Sequence, residues 1–454
     1  MEKYLSRSID QALLEWKDNP RRKPLLVRGA RQVGKSSTIR HLGKNFKYFL
    51  EVNVERNPEV MEFFKGSRDV KSIAAKLSDF FNVPVVPGET LLFLDEIQKC
   101  EDVIHSLWFF KEDYPELHVI AAGSLLEFAL KNLSSFGVGR VSSLFVYPMS
   151  FDEFLTATRQ EGLLRIKRNS SPTNPLPEAF YNRLVEAFRS YMLVGGMPEA
   201  VATYTETGSY RYSSDIVNEI IQGYQDDFAK YGAKANPLLL RQTLISVAHQ
   251  AGAKFVCSRV EGQYRSAEVK VALEMLKDAG LIIPTYHTDA NGVPLGAEIN
   301  ERVVKYLIHD TGVLLGILGI DDDIDERIKE MMVADSIDLV DKGHVAEMMA
   351  GLELIKYSSP QKRHQLYYWQ NMNKGTCAEV DYVIARSGSI VPIEVKSGVK
   401  GSMSSMYSLM RNPQKHIEMG IRCSLENFGT FASPDGKKID IIPLYAISNL
   451  FAEK

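Results

Sequence analysis

The chain has 454 residues, 45% of them hydrophobic and 24% charged, with a formal net charge of −3. That length exceeds one ordinary core and predicts roughly two to four domains, and the composition is that of a soluble globular protein. A charge so close to balance excludes bulk electrostatic attraction to nucleic acid as the main signature.

Residues 1–23 read as a helix and a basic turn, Arg21-Arg22-Lys23, with no apolar signal region in Met1-Glu-Lys-Tyr-Leu-Ser-Arg-Ser. From 24 to about 155, apolar runs at 25–27, 48–54, 91–94 and 118–122, and a weaker one at 144–147, alternate with helical patterns. This alternation predicts an α/β fold, a parallel sheet with helices on both faces.

The first run leads into Gly29-Ala-Arg-Gln-Val-Gly34-Lys35-Ser36, which fits Gly-x-x-x-x-Gly-Lys-[Ser/Thr]. A strand, a glycine-rich loop and a helix in that order aim backbone N–H groups and a helix N-terminus at one point, where a triphosphate fits. Gly29, Ala30, Arg31, Gln32, Val33, Gly34, Lys35, Ser36 and Ser37 are the expected nucleotide contacts. Lys35 is expected on the β- and γ-phosphates and the Ser36 hydroxyl on Mg²⁺. The run Leu91-Leu92-Phe93-Leu94 ends in Asp95-Glu96, a buried strand running into carboxylates. Asp95 is the expected second holder of Mg²⁺, and Glu96 the residue that polarises the attacking water. Alone, that strand reads equally as a core strand with a polar end.

Further on, 165–177 is polar and proline-bearing and reads as a surface loop. Residues 178–232 read as helical, broken at Gly195-Gly196-Met-Pro198. Helices at 238–250 and 266–279 precede an apolar run, 281–286, and a turn signal, Asn291-Gly292. Ser266 is the expected N-cap and Gly280 the C′ glycine of the second helix. Helix, helix and hairpin give a winged-helix expectation. Its second helix carries Glu268, Lys270, Glu274, Lys277 and Asp278, too near neutral for phosphate contact, which favours protein docking over DNA reading. The run Asp321 to Glu326 lacks the glycine and spacing of a calcium loop and reads as solvated. The apolar run Gly312 to Ile320 is too short to cross a bilayer, so no membrane is expected. Cys100, Cys257, Cys377 and Cys423 show no Cys-x-x-Cys spacing. Neither zinc nor a disulfide framework follows, and a cytoplasmic location fits.

Near the C-terminus, Glu379-Val-Asp381-Tyr-Val-Ile384 and Ile390-Val-Pro-Ile-Glu394-Val-Lys396 flank Ser387-Gly388. With those two residues as a hairpin loop, Asp381 lies opposite Glu394, and Lys396 stands on the same face. Val391, Ile393 and Val395 fill the other face. Facing carboxylates repel, and a divalent cation at Asp381 and Glu394, or the lysine, offsets that. Glu347, on a helix beginning near Gly343, is a candidate third carboxylate. A structural hairpin with surface charges is the plain alternative.

These segments, with Leu-Asp-Glu-Ile-Gln (94–98), Ala-Ala-Gly-Ser (121–124), Gly-Arg (139–140), Tyr-Pro-Met-Ser-Phe-Asp-Glu-Phe (147–154) and Gly-Gly-Met-Pro-Glu (195–199), resemble the prokaryotic AAA-like ATPases that carry a C-terminal domain of unknown function with a restriction-endonuclease-like core. The resemblance implies an ATPase domain at 1–160, a helical and winged-helix region at 178–330 and a nuclease-like domain at 331–454. It also implies a sensor role for Ser124, whose plain alternative is a helix N-cap. Arg140 becomes a candidate arginine finger, in cis or across a subunit contact, or else a surface arginine. In the nuclease mechanism Asp381 and Glu394 hold metal and Lys396 assists water. The expected function is ATP binding and hydrolysis with Mg²⁺, coupled to a C-terminal domain that binds or processes nucleic acid. The alternative is an ATP-dependent switch whose inactive C-terminal domain docks a protein. The sequence leaves oligomeric state and partner open.

Overall fold

The computed structural model describes residues 4–132, 139–231, 236–319, 342–371, 378–397 and 401–451. Two compact units emerge, one formed by Met1–Tyr147, Asp278–Leu281 and Ser359–Arg363, the other by Pro148–Lys277, Ile282–Ser358 and His364–Lys454. The acidic run 321–326, Cys377 and most of the loop before Arg140 lie outside the described residues. Cys100, Cys257 and Cys423 are free thiols.

In the first unit, α1 (Ile9–Asp18) precedes β1 (Leu25–Arg28), α2 (Lys35–Gly43), β2 (Tyr48–Asn53), α3 (Met61–Phe64), α4 (Val70–Phe81), β3 (Thr90–Asp95), α5 (Glu101–Asp113), β4 (His118–Ala122), α6 (Leu126–Asn132) and β5 (Ser142–Phe145). The strands form one sheet in the order β2-β3-β4-β1-β5, parallel throughout. This is the expected α/β arrangement of a P-loop nucleotide-binding fold. Alternation along the strands explains its two layers. Leu26, Leu50, Val52, Leu92, Leu94, Val119 and Ala121 face one way and share a core with Ile73 and Leu77 of α4 and Val103, Leu107 and Phe110 of α5. Phe49 and Phe93 point the other way and stack, with the end of α2 at Gly43 laid on the Phe49 ring. β3 is buried along its whole length, and each of its apolar side chains, Leu91 to Leu94, contributes about 1.5–3 kcal/mol. Parallel strands put their carboxyl ends at one edge, so the segments after β1, β3 and β4 are gathered there.

The second unit begins with α7 (Phe151–Ala157), α8 (Glu161–Arg168), α9 (Glu178–Val194), α10 (Pro198–Thr207), α11 (Tyr210–Asp227), α12 (Pro237–His249) and α13 (Ser266–Asp278, whose last residue joins the first unit). The stretch 165–177 is therefore not all loop. Its first four residues complete α8, because Leu163, Leu164 and Lys167 share a buried face, and Leu176 is buried with its backbone bonded to Asn427. Gly195 and Gly196 break the helices as expected. A Cβ at Gly195 would lie 2.3 Å from Asp310 Oδ1, and one at Gly196 2.2 Å from the Met149 carbonyl. The Arg265 amide donates to Glu268 Oε2 at 2.8 Å, so Arg265 stands at the N-cap position and Ser266 opens the helix.

β6 (Ile282–Thr288) and β7 (Ile299–Ile308) pair antiparallel. Asn291-Gly292 does not close them as a two-residue turn. The link runs from 289 to 298, and Asn291 is tied to Glu298 through its amide and side chain, each at 3.1 Å. After α14 (Thr311–Ile317) and α15 (Lys342–Lys356) come β8 (Leu366–Gln370), β9 (Glu379–Val380), β10 (Tyr382–Arg386), β11 (Ser389–Val395), α16 (Ser404–Arg411), β12 (Met419–Ser424), β13 (Gly429–Ala432) and β14 (Lys438–Pro443). A mixed sheet runs β10-β11-β12-β14-β13, and a second runs β7-β6-β8-β9. The second joins strands from the regions expected at 178–330 and 331–454, because β6 pairs in parallel with β8.

Candidate nucleotide site and a carboxylate cluster

The loop between β1 and α2 is shaped by three residues with positive φ, Gly29 at 146°, Gln32 at 64° and Gly34 at 93°. Gly29 is obligatory by contact as well, since a Cβ there would sit 2.1 Å from the Val146 carbonyl oxygen. Arg7 braces the loop, donating to the Val33 carbonyl at 2.9 Å and the Tyr147 carbonyl at 2.7 Å. The turn at Gly280 backs it, where a Cβ would come within 3.1 Å of the Ala30 nitrogen. Arg31, Gln32 and Ser37 are exposed, while Ala30 and Val33 are buried.

Lys35 is buried and folded onto its own loop, with Nζ donating to the carbonyls of Gly29 at 3.0 Å and Ala30 at 2.6 Å. Burial lowers its pKa to about 8, against the pull of Glu96 and Asp95. Ser36 Oγ donates to Asp95 Oδ2 at 3.2 Å. Asp95 is 5% exposed and its pKa is raised, first by burial and then by the Glu96 charge. A hydroxyl and a carboxylate this close at a helix N-terminus are donors suited to a hard divalent cation, so the residues fit Mg²⁺.

Glu96 follows β3 in a left-handed conformation, φ 55°. Its Oε2 accepts from Gln98 Nε2 at 2.5 Å and from Ser124 Oγ at 3.3 Å. Ser124 thus faces the Glu96 carboxylate. Two residues carried no role in the sequence reading. Asn53 ends β2 in register with Asp95 and donates to it at 3.4 Å. Gln98 reaches Glu96 because Gly123 leaves room, a Cβ there lying 2.0 Å from Gln98 Oε1. Arg140 is not brought to this group. It precedes the amino end of β5, the opposite edge of the sheet, where it bonds Glu112 at 2.7 Å and lies 3.9 Å over the Trp108 ring. A finger role in cis is incompatible with that placement.

In the second unit the hairpin has the expected register, Tyr382 opposite Ile393 and Arg386 opposite Ser389, with Pro392 facing Val383. Asp381, just outside the ladder, accepts from the Val395 amide at 2.7 Å. Lys396 Nζ lies 2.6 Å from Glu394 Oε1, while the buried Glu394 Oε2 has no hydrogen-bond partner among the described residues. Glu347 of α15 feels the Asp381 charge. Burial lifts Glu347 to about 8 and Glu394 to about 7, and Asp381 adds to both. Asp381 is itself raised by burial, against the Val395 amide and the lysines.

The sequence reading missed Lys305 of β7. It is 2% exposed and its Nζ lies 2.9 Å from Glu347 Oε1 and 2.5 Å from Glu379 Oε1. Burial opposes its charge, but the two carboxylates outweigh burial and raise its pKa. This donor set does not fit the divalent cation expected at Asp381 and Glu394. Lys305 holds Glu347 and Glu379, Lys396 holds Glu394, and among the described residues no group of three or more His, Cys, Asp or Glu is placed to hold a metal ion.

The first unit's parallel sheet, phosphate loop and Asp95–Glu96 pair define an AAA-like, ATP-binding P-loop domain. Residues 21–155 match the family model described as an AAA domain. Residues 185–324 and 342–447 match two domains of unknown function, DUF8612 and DUF4143. No curated protein matches. A solved structure of the Aeropyrum pernix ORC1 protein in complex with DNA matches at 11% identity, covering 71% of this chain and 94% of that one, with a TM-score of 0.28. A superposition that loose transfers no feature of a site. Among the described residues no helix is long and apolar enough to cross a membrane.

Proposed function

We propose that the chain is a Mg²⁺-dependent ATPase whose nucleotide state governs a C-terminal domain of restriction-endonuclease-like build that binds or processes nucleic acid. The convergence of Lys35, Ser36, Asp95, Glu96 and Ser124 at one sheet edge carries the first half. Ser36 and Asp95 would hold Mg²⁺, which supplies charge neutralisation on the phosphates. Lys35 exchanges the loop carbonyls for phosphate oxygens. Glu96, held by Gln98 and Ser124, orients and polarises the attacking water. Any finger role of Arg140 is across a subunit contact. The test is phosphate release by wild type beside Lys35→Ala and Glu96→Gln. Loss in both supports the reading, and unchanged turnover in either overturns it.

The hairpin register and the grouping of Glu347, Asp381, Glu394 and Lys396 support the nuclease-like half. It is tested by cleavage of DNA and RNA with Mg²⁺ or Mn²⁺, with and without ATP, in wild type and Lys396→Ala. No cleavage in any lane, with ATP hydrolysis intact, overturns it.

One observation favours a second reading, an ATP-dependent switch whose silent C-terminal domain docks a protein. Lys305 bonds Glu347, the candidate third carboxylate that a metal-dependent nuclease would need free. The exposed face of α13, with Glu268, Lys270, Val271 and Glu274, is balanced in charge and suits a protein surface better than phosphates.

A further inference from the structure

Lys305 and its carboxylates come from separate parts of the second unit: Lys305 from β7, Glu347 from the first turns of α15, Glu379 from β9, Asp381 and Glu394 from the hairpin. No motif links Lys305 to its partners Glu347 and Glu379, which lie 42 and 74 residues away. Its ammonium has three donors. Glu347 and Glu379 take hydrogen bonds, and the Tyr368 ring lies 5.0 Å off, at cation–π range. The flanking backbone is fixed too, with Lys305 paired to Thr285 across the β6–β7 ladder. The side chain is 2% exposed.

A divalent cation at this cluster would need carboxylate oxygens at about 2.0–2.1 Å for Mg²⁺, and room for its waters. The Lys305 ammonium, bonded to Glu347 and Glu379, and the Lys396 ammonium, bonded to Glu394, stand beside that space and repel a second cation. Four carboxylates, Glu347, Glu379, Asp381 and Glu394, meet two ammonium groups, Lys305 and Lys396. Glu394 Oε2, buried and without a partner among the described residues, marks the open corner of the cluster.

We propose that Lys305 is the resident cation of this cluster and that the C-terminal site is closed to divalent metal. The inference deepens the second reading above and rests on it. Lys305 holds α15, β7 and β9 to one charge-compensated centre, so the domain keeps its shape without Mg²⁺.

The experiment is a Mn²⁺ titration of the full chain, read by the loss of the free-ion electron paramagnetic resonance signal. Asp95→Asn is the background, without nucleotide, to silence the phosphate-loop site. The chain with Lys305 is expected to take up no Mn²⁺. Lys305→Met, or Lys305→Gln if only that variant keeps the parent melting profile, is expected to gain one Mn²⁺ per chain and lose it again on adding Asp381→Asn. Uptake by the Lys305 chain that Asp381→Asn abolishes overturns the proposal, as does a folded Lys305 variant that gains none. Should both Lys305 variants unfold, adding Glu347→Gln and Glu379→Gln is expected to restore folding, and failure to restore it overturns charge compensation. Cleavage of nucleic acid by the Lys305 chain overturns the second reading, whereas Asp381-dependent Mn²⁺ uptake by that chain without cleavage overturns the resident-cation inference alone.

Discussion

Lys35 Nζ donates to the Ala30 carbonyl at 2.6 Å, a bond within its own phosphate loop. With Gly29 as a second acceptor, the buried ammonium is satisfied before any phosphate arrives. Binding therefore exchanges partners rather than burying a new charge. It follows that the lysine is held ready at low cost, and that its proton is part of the affinity.

Burial places the free-site pKa of Lys35 at about 8, and triphosphate oxygens raise it. Binding then takes up a proton where the free lysine is neutral, so affinity is flat below about pH 8 and falls above it. Calorimetric dissociation constants for ATP at pH 7 and pH 9 are expected to weaken in that order. Lys35→Ala is expected to bind weakly at both, without that slope. A wild-type constant unchanged across the range would mean that Lys35 does not meet the phosphates.

Glu96→Gln keeps the size and hydrogen bonding of the residue but removes the carboxylate that Gln98 and Ser124 hold. Turnover is expected to fall by about 10²–10⁴-fold with ATP affinity retained. Ser124→Ala removes only a 3.3 Å contact and is expected to lower turnover less. Steady-state kinetics beside a binding isotherm separates the two quantities.

Gly29→Ala places a methyl 2.1 Å from the Val146 carbonyl oxygen, at φ 146°. Neither backbone can yield without moving β1 or the segment after β5. The expected result is about 1–3 kcal/mol of lost stability together with lost nucleotide binding. A variant with wild-type melting and wild-type ATP affinity would show that the loop tolerates the side chain.

Local signals carried the first unit and the hairpin. Apolar runs marked β1 to β4 because buried parallel strands are apolar on both faces. Ser387 and Gly388, both at positive φ, fixed the pairing that sets Tyr382 against Ile393. What stayed hidden depends on neighbours distant in sequence. Asn53 gains meaning only once β2 lies beside β3. Lys305 reads as an ordinary strand lysine until β6 pairs with β8 and brings Glu379 near. The polar stretch after Arg165 looked like loop because nothing local shows that Lys167 is buried.

That burial supports the last prediction. Asp152 accepts from Lys167, which is 0% exposed, and from Tyr357 Oη at 2.9 Å, with Arg168 alongside at 3.1 Å. Lys167 also donates to Ser448 at 2.7 Å. Burial raises the pKa of Asp152, but Lys167, Arg168 and the hydrogen bonds outweigh it and hold the carboxyl below its ordinary value. A carboxyl depressed on folding stabilises above its unfolded pKa, and that share is lost as pH falls through the folded one. Asp152→Ala leaves Lys167 charged and unpaired in the interior, at a cost of about 3–5 kcal/mol. Asp152→Ala with Lys167→Met removes both charges and is expected to recover most of the loss. Urea unfolding of the three proteins at pH 7 and pH 4 measures this. The wild-type advantage over the double variant is expected to shrink at the lower pH. Equal stability of wild type and Asp152→Ala at pH 7 would show that Lys167 does not depend on Asp152.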